Sequence, residues 1–304
     1  MDLSALKGIY PPIISPVTEN EDIDEGGLRK VINHCIEKKL HGIFVAGTNG
    51  EALSMTQEQR DKAIKITLDE CKGRVPVMAG VMDSSTRRVI ENIKRFEQMG
   101  GEYAVVTSVF YSRHSSPKET IRHFEEVTKN TQAKIVAYNI PPFTNMNLTP
   151  EMVIEISKMD RVVACKDSSG NFIQFLNLIH YFRGKNFKLF QGLSDLAGAS
   201  VLMGAEGLVI GQAPLFPELY LDLYEASLRK DIDRVMKLSA FIGDKVMAIG
   251  KMSTYGISAT KYAMSLLGFT HKRMIKPTEP VQPHEEEKIR EAVRIVNEEY
   301  EKLK

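Results

Sequence analysis

Short β-rich runs alternate with helical patterns along the chain as far as about residue 212. Several of these runs are apolar on consecutive residues, which is typical of parallel strands covered on both faces. Eight strands, each followed by a helix, are expected for a closed (β/α)8 barrel. The predicted strands are residues 8–17, 42–46, 75–80, 103–108, 134–139, 161–166, 187–192 and 207–212. The pattern therefore predicts an α/β protein built on a TIM barrel.

An open doubly wound sheet is the structural alternative. Such sheets usually have fewer strands and a glycine-rich dinucleotide-binding turn after the first strand, and this chain has no such turn. From about residue 216 only helical patterns remain. We therefore predict a barrel over residues 1–225 and a C-terminal helical extension over 226–304.

Two helix starts carry a clear sequence signal. Thr56 and Gln59 have the spacing of a capping box, and Thr149-Pro150 is typical of an N-cap followed by proline at the first helical position.

The composition, with 43% apolar and 26% charged residues, is ordinary for a soluble globular protein. The net charge of +1 gives no electrostatic footprint for nucleic acid or a membrane surface. Three widely spaced cysteines and seven scattered histidines predict neither a disulfide framework nor a metal site. No signal segment and no bilayer-spanning apolar run is evident. We expect a soluble, cytoplasmic protein.

Residues that could carry chemistry follow four of the predicted strands. Barrel enzymes place their catalytic groups at the carboxyl ends of the strands and in the loops beyond. Those positions hold "GTNGE" (47–51), Tyr138, Lys166 and "GLSD" (192–195). All four would face one mouth of the barrel, and this convergence is stronger evidence than any single motif.

Lys166 ends the apolar run "VVACK". It is either a snorkelling residue whose ammonium reaches water or an amine held in an apolar pocket for chemistry. The second interpretation needs an uncharged amine near neutral pH, which burial favours because it destabilises the ammonium form. Such an amine could attack a ketone to form a Schiff base, and its iminium would accept electrons from the adjacent carbon–carbon bond.

Tyr138 and the "GTNGE" loop also have two interpretations each. Tyr138 is either a core tyrosine or a proton relay beside Lys166. The Asn-Gly pair could form a hairpin turn, but a helical pattern follows it and not a second strand. We therefore interpret the loop as one whose N–H groups and Thr48 hydroxyl converge on a small anion such as a carboxylate.

These motifs resemble those of the pyruvate-dependent class I aldolases and lyases, which include dihydrodipicolinate synthase, N-acetylneuraminate lyase and 2-keto-3-deoxygluconate aldolase. The similarity covers essentially the whole chain, and the order and spacing of the motifs are highly specific to that family. The motifs are "SPVTENEDIDEGGL", "GTNGE", "YNIPP", "KDSSG" and "QGLSD".

The resemblance implies roles for the catalytic residues. Lys166 would be the Schiff-base lysine and Tyr138 the proton relay. Tyr111, in "SVFYS", would reach into a neighbouring subunit and extend the relay through Thr48. Members are typically tetramers built from tight dimers and need no metal or organic cofactor, so we expect a homotetramer.

The resemblance also implies a substrate pocket. Thr48 and Asn49 would hold the pyruvate carboxylate, and the backbone around Val209 would complete the pocket, with Gly192 beside it. Asn49 stands where the family usually has a second hydroxyl residue, but its amide still offers N–H donors.

Other positions bear on the aldehyde partner. Phe143 stands where dihydrodipicolinate synthase has an arginine that grips a substrate carboxylate, and a phenyl ring cannot form that bidentate pair. Ser194 and Asp195 stand where N-acetylneuraminate lyase has an Asp-Glu pair. "KDSSG" is more similar to the sugar-acid aldolases, so Ser168 and Asp195 are candidates for contacts to substrate hydroxyls. Asp195 could instead cap the helix that follows it.

The favoured prediction is a carbon–carbon lyase that reversibly cleaves a 2-keto-3-deoxy sugar acid, or a similar 4-hydroxy-2-oxo acid, to pyruvate and an aldehyde. Within the same chemistry, N-acetylneuraminate lyase ranks second and dihydrodipicolinate synthase third. A barrel that binds a keto acid without turnover is the alternative from another class. The partners expected are the small-molecule substrates, with no nucleic acid and no membrane.

Overall fold

The computed structural model describes residues 2–112 and 114–304, and within them eight parallel strands form one curled sheet. Its order is β1-β8-β7-β6-β5-β4-β3-β2, and a bridge between Pro12 and Phe44 joins the segment after β1 to β2. The predicted TIM barrel is confirmed. The strands are β1 (Gly8–Ile9), β2 (Ile43–Val45), β3 (Val77–Gly80), β4 (Tyr103–Thr107), β5 (Lys134–Asn139), β6 (Val162–Asp167), β7 (Lys188–Gln191) and β8 (Gly207–Leu208).

Alternate residues of each strand enter two different apolar layers. On β5, Val136 and Tyr138 belong to a cluster inside the barrel, whereas Ile135 and Ala137 belong to the layer between sheet and helices. Successive strand residues face opposite sides of a sheet, so a sheet covered on both sides needs apolar residues without interruption. This requirement explains the unbroken apolar runs in the sequence.

Helices cover the outside of the barrel and continue beyond it. The barrel helices are α1 (Glu25–Glu37), α2 (Gln57–Cys71), α3 (Thr86–Gln98), α4 (Pro117–Asn130), α5 (Pro141–Thr144), α6 (Pro150–Ile156), α7 (Phe172–Phe182), α8 (Ala197–Met203) and α9 (Pro217–Arg229). The extension contains α10 (Ile232–Phe241), α11 (Met247–Gly250), α12 (Gly256–Ser265) and α13 (Pro283–Leu303), with a π-helical stretch at Ile242–Val246. Position 225, where the sequence predicted the division, lies inside α9.

Both predicted helix starts are confirmed. The Thr56 side chain accepts a hydrogen bond from the Gln59 N–H, and the Gln59 side chain accepts one from the Thr56 N–H. Thr149 caps α6, with Pro150 as its first residue. None of the described helices is both long and apolar enough to cross a membrane.

Candidate active site

Lys166 and Tyr138 occupy paired positions at the carboxyl ends of β6 and β5. Lys166 is 5% exposed and Tyr138 3% exposed. The Lys166 Nζ atom lies 3.9 Å from the centre of the Tyr138 ring and 5.1 Å from that of Phe44. A snorkelling lysine would carry its nitrogen to the protein surface, whereas this side chain is buried and its nitrogen lies beside two aromatic rings.

A cavity of about 450 Å³ opens at this end of the barrel. It brings together most of the site residues predicted from the sequence. Those that line it are Lys166, Tyr138, Thr48, Asn49, Ser168, Gly192 and Val209.

The aliphatic stem of Lys166 lies against bare backbone at Gly192. A Cβ atom on Gly192 would stand 3.0 Å from Lys166 Cε and 2.0 Å from Ser168 Oγ. Any side chain at this position would therefore force Ser168 Oγ to move and would press against the Lys166 stem.

A buried hydrogen-bond network behind Lys166 holds the strand ends in place. Asp167 is 1% exposed, and its Oδ2 atom accepts hydrogen bonds from Asn139 Nδ2 at 2.8 Å and Gln174 Nε2 at 3.2 Å. Its Oδ1 atom accepts from the Ser169 N–H at 3.0 Å and from Ser169 Oγ at 2.7 Å. The network joins β5, β6 and α7, so the carboxyl end of β6 cannot shift independently. The sequence analysis missed this role, although Asp167 directly follows the lysine.

The "GTNGE" segment is a series of tight turns and not a hairpin. The Gly50 N–H donates to the Gly47 carbonyl at 3.1 Å, and the Glu51 N–H donates to the Thr48 carbonyl at 3.0 Å. The strands on either side, β2 and β3, are parallel, which excludes a hairpin between them. Thr48 and Asn49 line the cavity at the top of this loop.

Tyr111 lies outside the cavity of its own chain. It is 96% exposed, and its backbone is in the left-handed region with φ of 70°. Tyr111 is not among the residues that line the cavity beside Lys166, so it does not reach the candidate site of its own chain.

Asp195 is also absent from the set of residues that line the cavity. It lies in a 3-10 helix, Ser194–Leu196, and is exposed. Neither that helix nor α8 has a side-chain capping hydrogen bond, so the capping alternative is not observed for Asp195 either. The preceding Ser194 hydroxyl turns inward, 2.9 Å from the Tyr220 hydroxyl.

A smaller lobe of about 160 Å³ adjoins the cavity along Thr48, Tyr138 and Phe143. Thr107, the strand neighbour of Tyr138, lines this lobe with a buried hydroxyl that has no hydrogen-bond partner among the described residues. The lobe otherwise has mostly apolar walls, including Phe110.

The C-terminal extension forms the rim of the cavity opposite the strand ends. Thr260, on α12, and Lys251, just after α11, line this rim. Apart from Lys166, Lys251 is the charged side chain among the described lining residues. Elsewhere in the described chain, no group of three or more His, Cys, Asp or Glu residues is placed to hold a metal ion.

The relatives found by comparison with known proteins all point to one family. A family model described as "Dihydrodipicolinate synthetase family" matches residues 5–298. A 4-hydroxy-tetrahydrodipicolinate synthase of Methanothrix thermoacetophila is 29% identical over 287 residues, which cover 94% of this chain and 96% of the relative. A protein of the same name from Protochlamydia amoebophila is 30% identical over 225 residues, 73% of this chain and 75% of the relative. The solved dihydrodipicolinate synthase of Bacteroides thetaiotaomicron superposes with a TM-score of 0.89 at 29% identity and covers 95% of this chain and 98% of its own.

Proposed function

Since this chain belongs to the dihydrodipicolinate synthetase family, we propose that Lys166 is the Schiff-base amine of a pyruvate-dependent class I aldolase. Enzymes of this family are pyruvate-dependent carbon–carbon lyases and synthases, and the chain is an enzyme of that class. The placement of an enclosed lysine beside Tyr138 at one end of the barrel supports the assignment.

The proposed first step is attack of the Lys166 amine on the ketone carbon of pyruvate. The new C–N bond gives a carbinolamine, and loss of its hydroxyl as water gives the iminium. Tyr138 supplies and removes the protons. The Thr48 hydroxyl and the N–H groups at Thr48 and Asn49 bind the carboxylate.

In the cleavage direction, the iminium forms on a 4-hydroxy-2-oxo acid. Tyr138 takes the proton of the C4 hydroxyl, the C3–C4 bonding electrons move into the iminium, and an aldehyde leaves. Protonation of the resulting enamine at C3 and hydrolysis of the imine release pyruvate and restore the amine. The same steps in reverse join pyruvate to an aldehyde.

The proposed substrate is a 2-keto-3-deoxy sugar acid or a similar 4-hydroxy-2-oxo acid. The observation that carries this choice is Phe143, which is 48% exposed and lines the cavity at the position where the synthase motif has an arginine. None of the described lining residues is an arginine. The hydroxyls of Ser168 and Thr260 line the same cavity and can hydrogen-bond sugar hydroxyls.

4-Hydroxy-tetrahydrodipicolinate synthase activity is the second candidate. Both curated relatives described above carry that name. Their names support the synthase reaction, which the sequence analysis ranked third, more than they support sugar-acid cleavage. In this candidate, the Lys251 ammonium at the rim would bind the semialdehyde carboxylate in place of the arginine. N-acetylneuraminate lyase has less support, because Ser194 turns inward and Asp195 lies outside the lining set.

Two assays test the proposal in sequence. Incubation with pyruvate, reduction with borohydride and protein mass measurement should show a pyruvyl adduct that Lys166→Ala abolishes. An unmodified wild-type protein would favour the keto-acid-binding barrel without turnover. A panel of keto-deoxy sugar acids is then assayed for pyruvate release beside the semialdehyde condensation. Condensation without release from any sugar acid would assign the synthase reaction.

We further propose that the protein is a cytoplasmic homotetramer. Tyr111, exposed on its own chain, would complete the proton relay of a neighbouring subunit in a homotetramer. A cytoplasmic location is supported by the three buried cysteines, Cys35, Cys71 and Cys165, which are free thiols.

A further inference from the structure

Glu51, the last residue of the "GTNGE" loop, is held by a lysine of the C-terminal extension. Its Oε1 atom accepts a hydrogen bond from Lys261 Nζ at 2.5 Å, and its Oε2 atom accepts one from the Ile275 N–H at 2.8 Å. Lys261 has no exposed surface and Glu51 is 6% exposed. Both oxygens of the loop carboxylate are therefore bound by the extension, although Lys261 lies 210 residues further along the chain.

A buried ion pair is weak evidence of a stabilising role. Removal of two charges from water often costs more than their attraction returns, and apolar residues of similar volume are frequently at least as stable. Burial also lowers the pKa of Lys261, an effect that the Glu51 carboxylate opposes. A fully buried lysine at this position calls for a role beyond the core.

The backbone of Glu51 is strained in a way that its side chain can maintain. Its φ is 57°, in the left-handed region that a residue with a Cβ atom rarely adopts. Residues kept in such conformations persist where the surroundings over-determine them, and they cluster at functional sites. Here the two hydrogen bonds to the carboxylate provide the restraint.

The strained residue controls the loop that lines the cavity. The Glu51 N–H donates to the Thr48 carbonyl, and the Gly50 N–H donates to the Gly47 carbonyl. The turn that carries Thr48 and Asn49 is thus fixed at its far end by Glu51. Release of the Glu51 side chain would let this turn relax.

The helix that provides the lysine also forms part of the cavity wall. Lys261 lies on α12, and its neighbour Thr260 lines the cavity together with Gly256 and Ile257. One rigid helix therefore sets both the rim of the cavity and the position of the loop opposite it.

We propose that Glu51 and Lys261 are positioning residues that hold the Thr48–Asn49 turn in the geometry that binds the pyruvate carboxylate. This inference rests on the proposed roles of Thr48 and Asn49 in the aldolase reaction. Neither residue lines the cavity beside Lys166; Glu51 borders only the smaller lobe, and both of its carboxylate oxygens are bound by the extension. Their effect is on the affinity for pyruvate, before any aldehyde takes part.

The test measures the pyruvate concentration that gives half-maximal borohydride-trapped adduct, together with the melting temperature. Lys261→Met leaves the Glu51 charge uncompensated, so we expect a lower melting temperature and a half-saturating concentration raised about tenfold or more. The double variant E51Q/K261M removes both charges, so it should regain melting temperature while its half-saturating concentration stays raised. Lys272→Met is the matched control. Lys272 pairs with Glu286 within the extension and donates to the Val281 carbonyl, so only melting temperature should change.

Two results would overturn the positioning role of Glu51 and Lys261. A double variant that binds pyruvate as the wild type does would overturn the proposal. Failure of the double variant to fold would also overturn it, because the pair would then serve to join the barrel and the extension. Absence of an adduct in the wild-type protein would instead reject the proposed Schiff-base function.

Discussion

The side-chain amide of Asn49 lies against the bare Cα of Gly211, where a Cβ atom would stand 2.3 Å from Asn49 Nδ2. Gly211 follows β8 and lines the same cavity as Asn49. The close approach means that the position of the amide depends on a residue that sequence motifs did not single out.

Gly211→Ala should weaken pyruvate binding. The added methyl group must push the Asn49 amide away, and a shift of about 1 Å at a positioned group can cost on the order of 10²-fold in rate. We expect a rise of about tenfold or more in the pyruvate concentration that half-saturates imine trapping. Gly26→Ala, on α1, is the control, since the nearest atom to its added Cβ is Asp24 Oδ1, 3.6 Å away. Unchanged trapping in Gly211→Ala would show that Asn49 does not bind the carboxylate.

Tyr138→Phe should slow turnover far more than it alters folding. The phenol is proposed to move protons in several steps, and loss of such a group typically costs about 10²–10⁴-fold. Steady-state pyruvate release measures this effect, and the melting temperature should stay near that of the wild type. Tyr103→Phe, at the opposite end of the parallel strand β4, removes a hydroxyl without a proposed role. Equal activity losses in the two variants would argue against a relay at Tyr138.

Phe143→Arg tests the choice of aldehyde. An arginine here would offer a bidentate partner for a carboxylate, so kcat/KM for semialdehyde condensation should rise relative to that for sugar-acid cleavage. We expect the ratio to change by about tenfold or more, since hydrogen bonds to charged groups contribute about 1.5–3 kcal/mol. Phe143→Leu, which alters the ring without adding charge, should leave the ratio much closer to that of the wild type.

His123 should make the fold less stable in acid. The ring is 2% exposed, with Nε2 3.2 Å from the Thr107 carbonyl oxygen and Nδ1 2.9 Å from Thr86 Oγ1. Burial lowers its pKa from 6.5 to about 4, and the nearby His114 adds to the lowering.

The direction of this pH effect on stability follows from proton uptake by the unfolded chain. Below pH 6.5 the unfolded chain protonates this ring while the folded chain does not, so the free energy of unfolding decreases as the pH falls towards 4, by up to about 3 kcal/mol. Urea unfolding at several pH values measures the slope. In His123→Gln the free energy of unfolding should depend less steeply on pH between 6.5 and 4, by the uptake of about one proton. An unchanged slope would contradict the role given to His123.

The barrel and the end that holds the candidate site could be predicted because both depend on local patterns. Consecutive apolar residues identified the buried parallel strands, and the polar residues at four of the strand ends, such as Tyr138 and Lys166, indicated the mouth. The predicted first strand, residues 8–17, was too long, because the strand ends at Ile9 and only an isolated bridge at Pro12 follows it. Pro11 and Pro12 lack the N–H that a ladder requires, which explains the early end.

The features missed depend on distant parts of the chain. The Glu51–Lys261 pair joins residues with no shared motif, and a lysine in a helical pattern normally indicates a solvated face. The orientation of the segment 194–195 is set by Tyr220, on α9, and neither propensity nor spacing contains that information.

The cavity is lined by two separate parts of the chain, the barrel and the C-terminal extension. Lys166, the proposed nucleophile, lies at a strand end, whereas Lys251 and Thr260 come from a separate helical segment at the rim. A chimera that exchanged this segment for that of a relative, with the lysine opposite Glu51 retained, would change the rim of the cavity while Lys166, Tyr138 and Phe143 stayed in place. Recombination at the chain's end would therefore alter one wall of the cavity independently of Phe143 and of the barrel residues proposed to perform the chemistry.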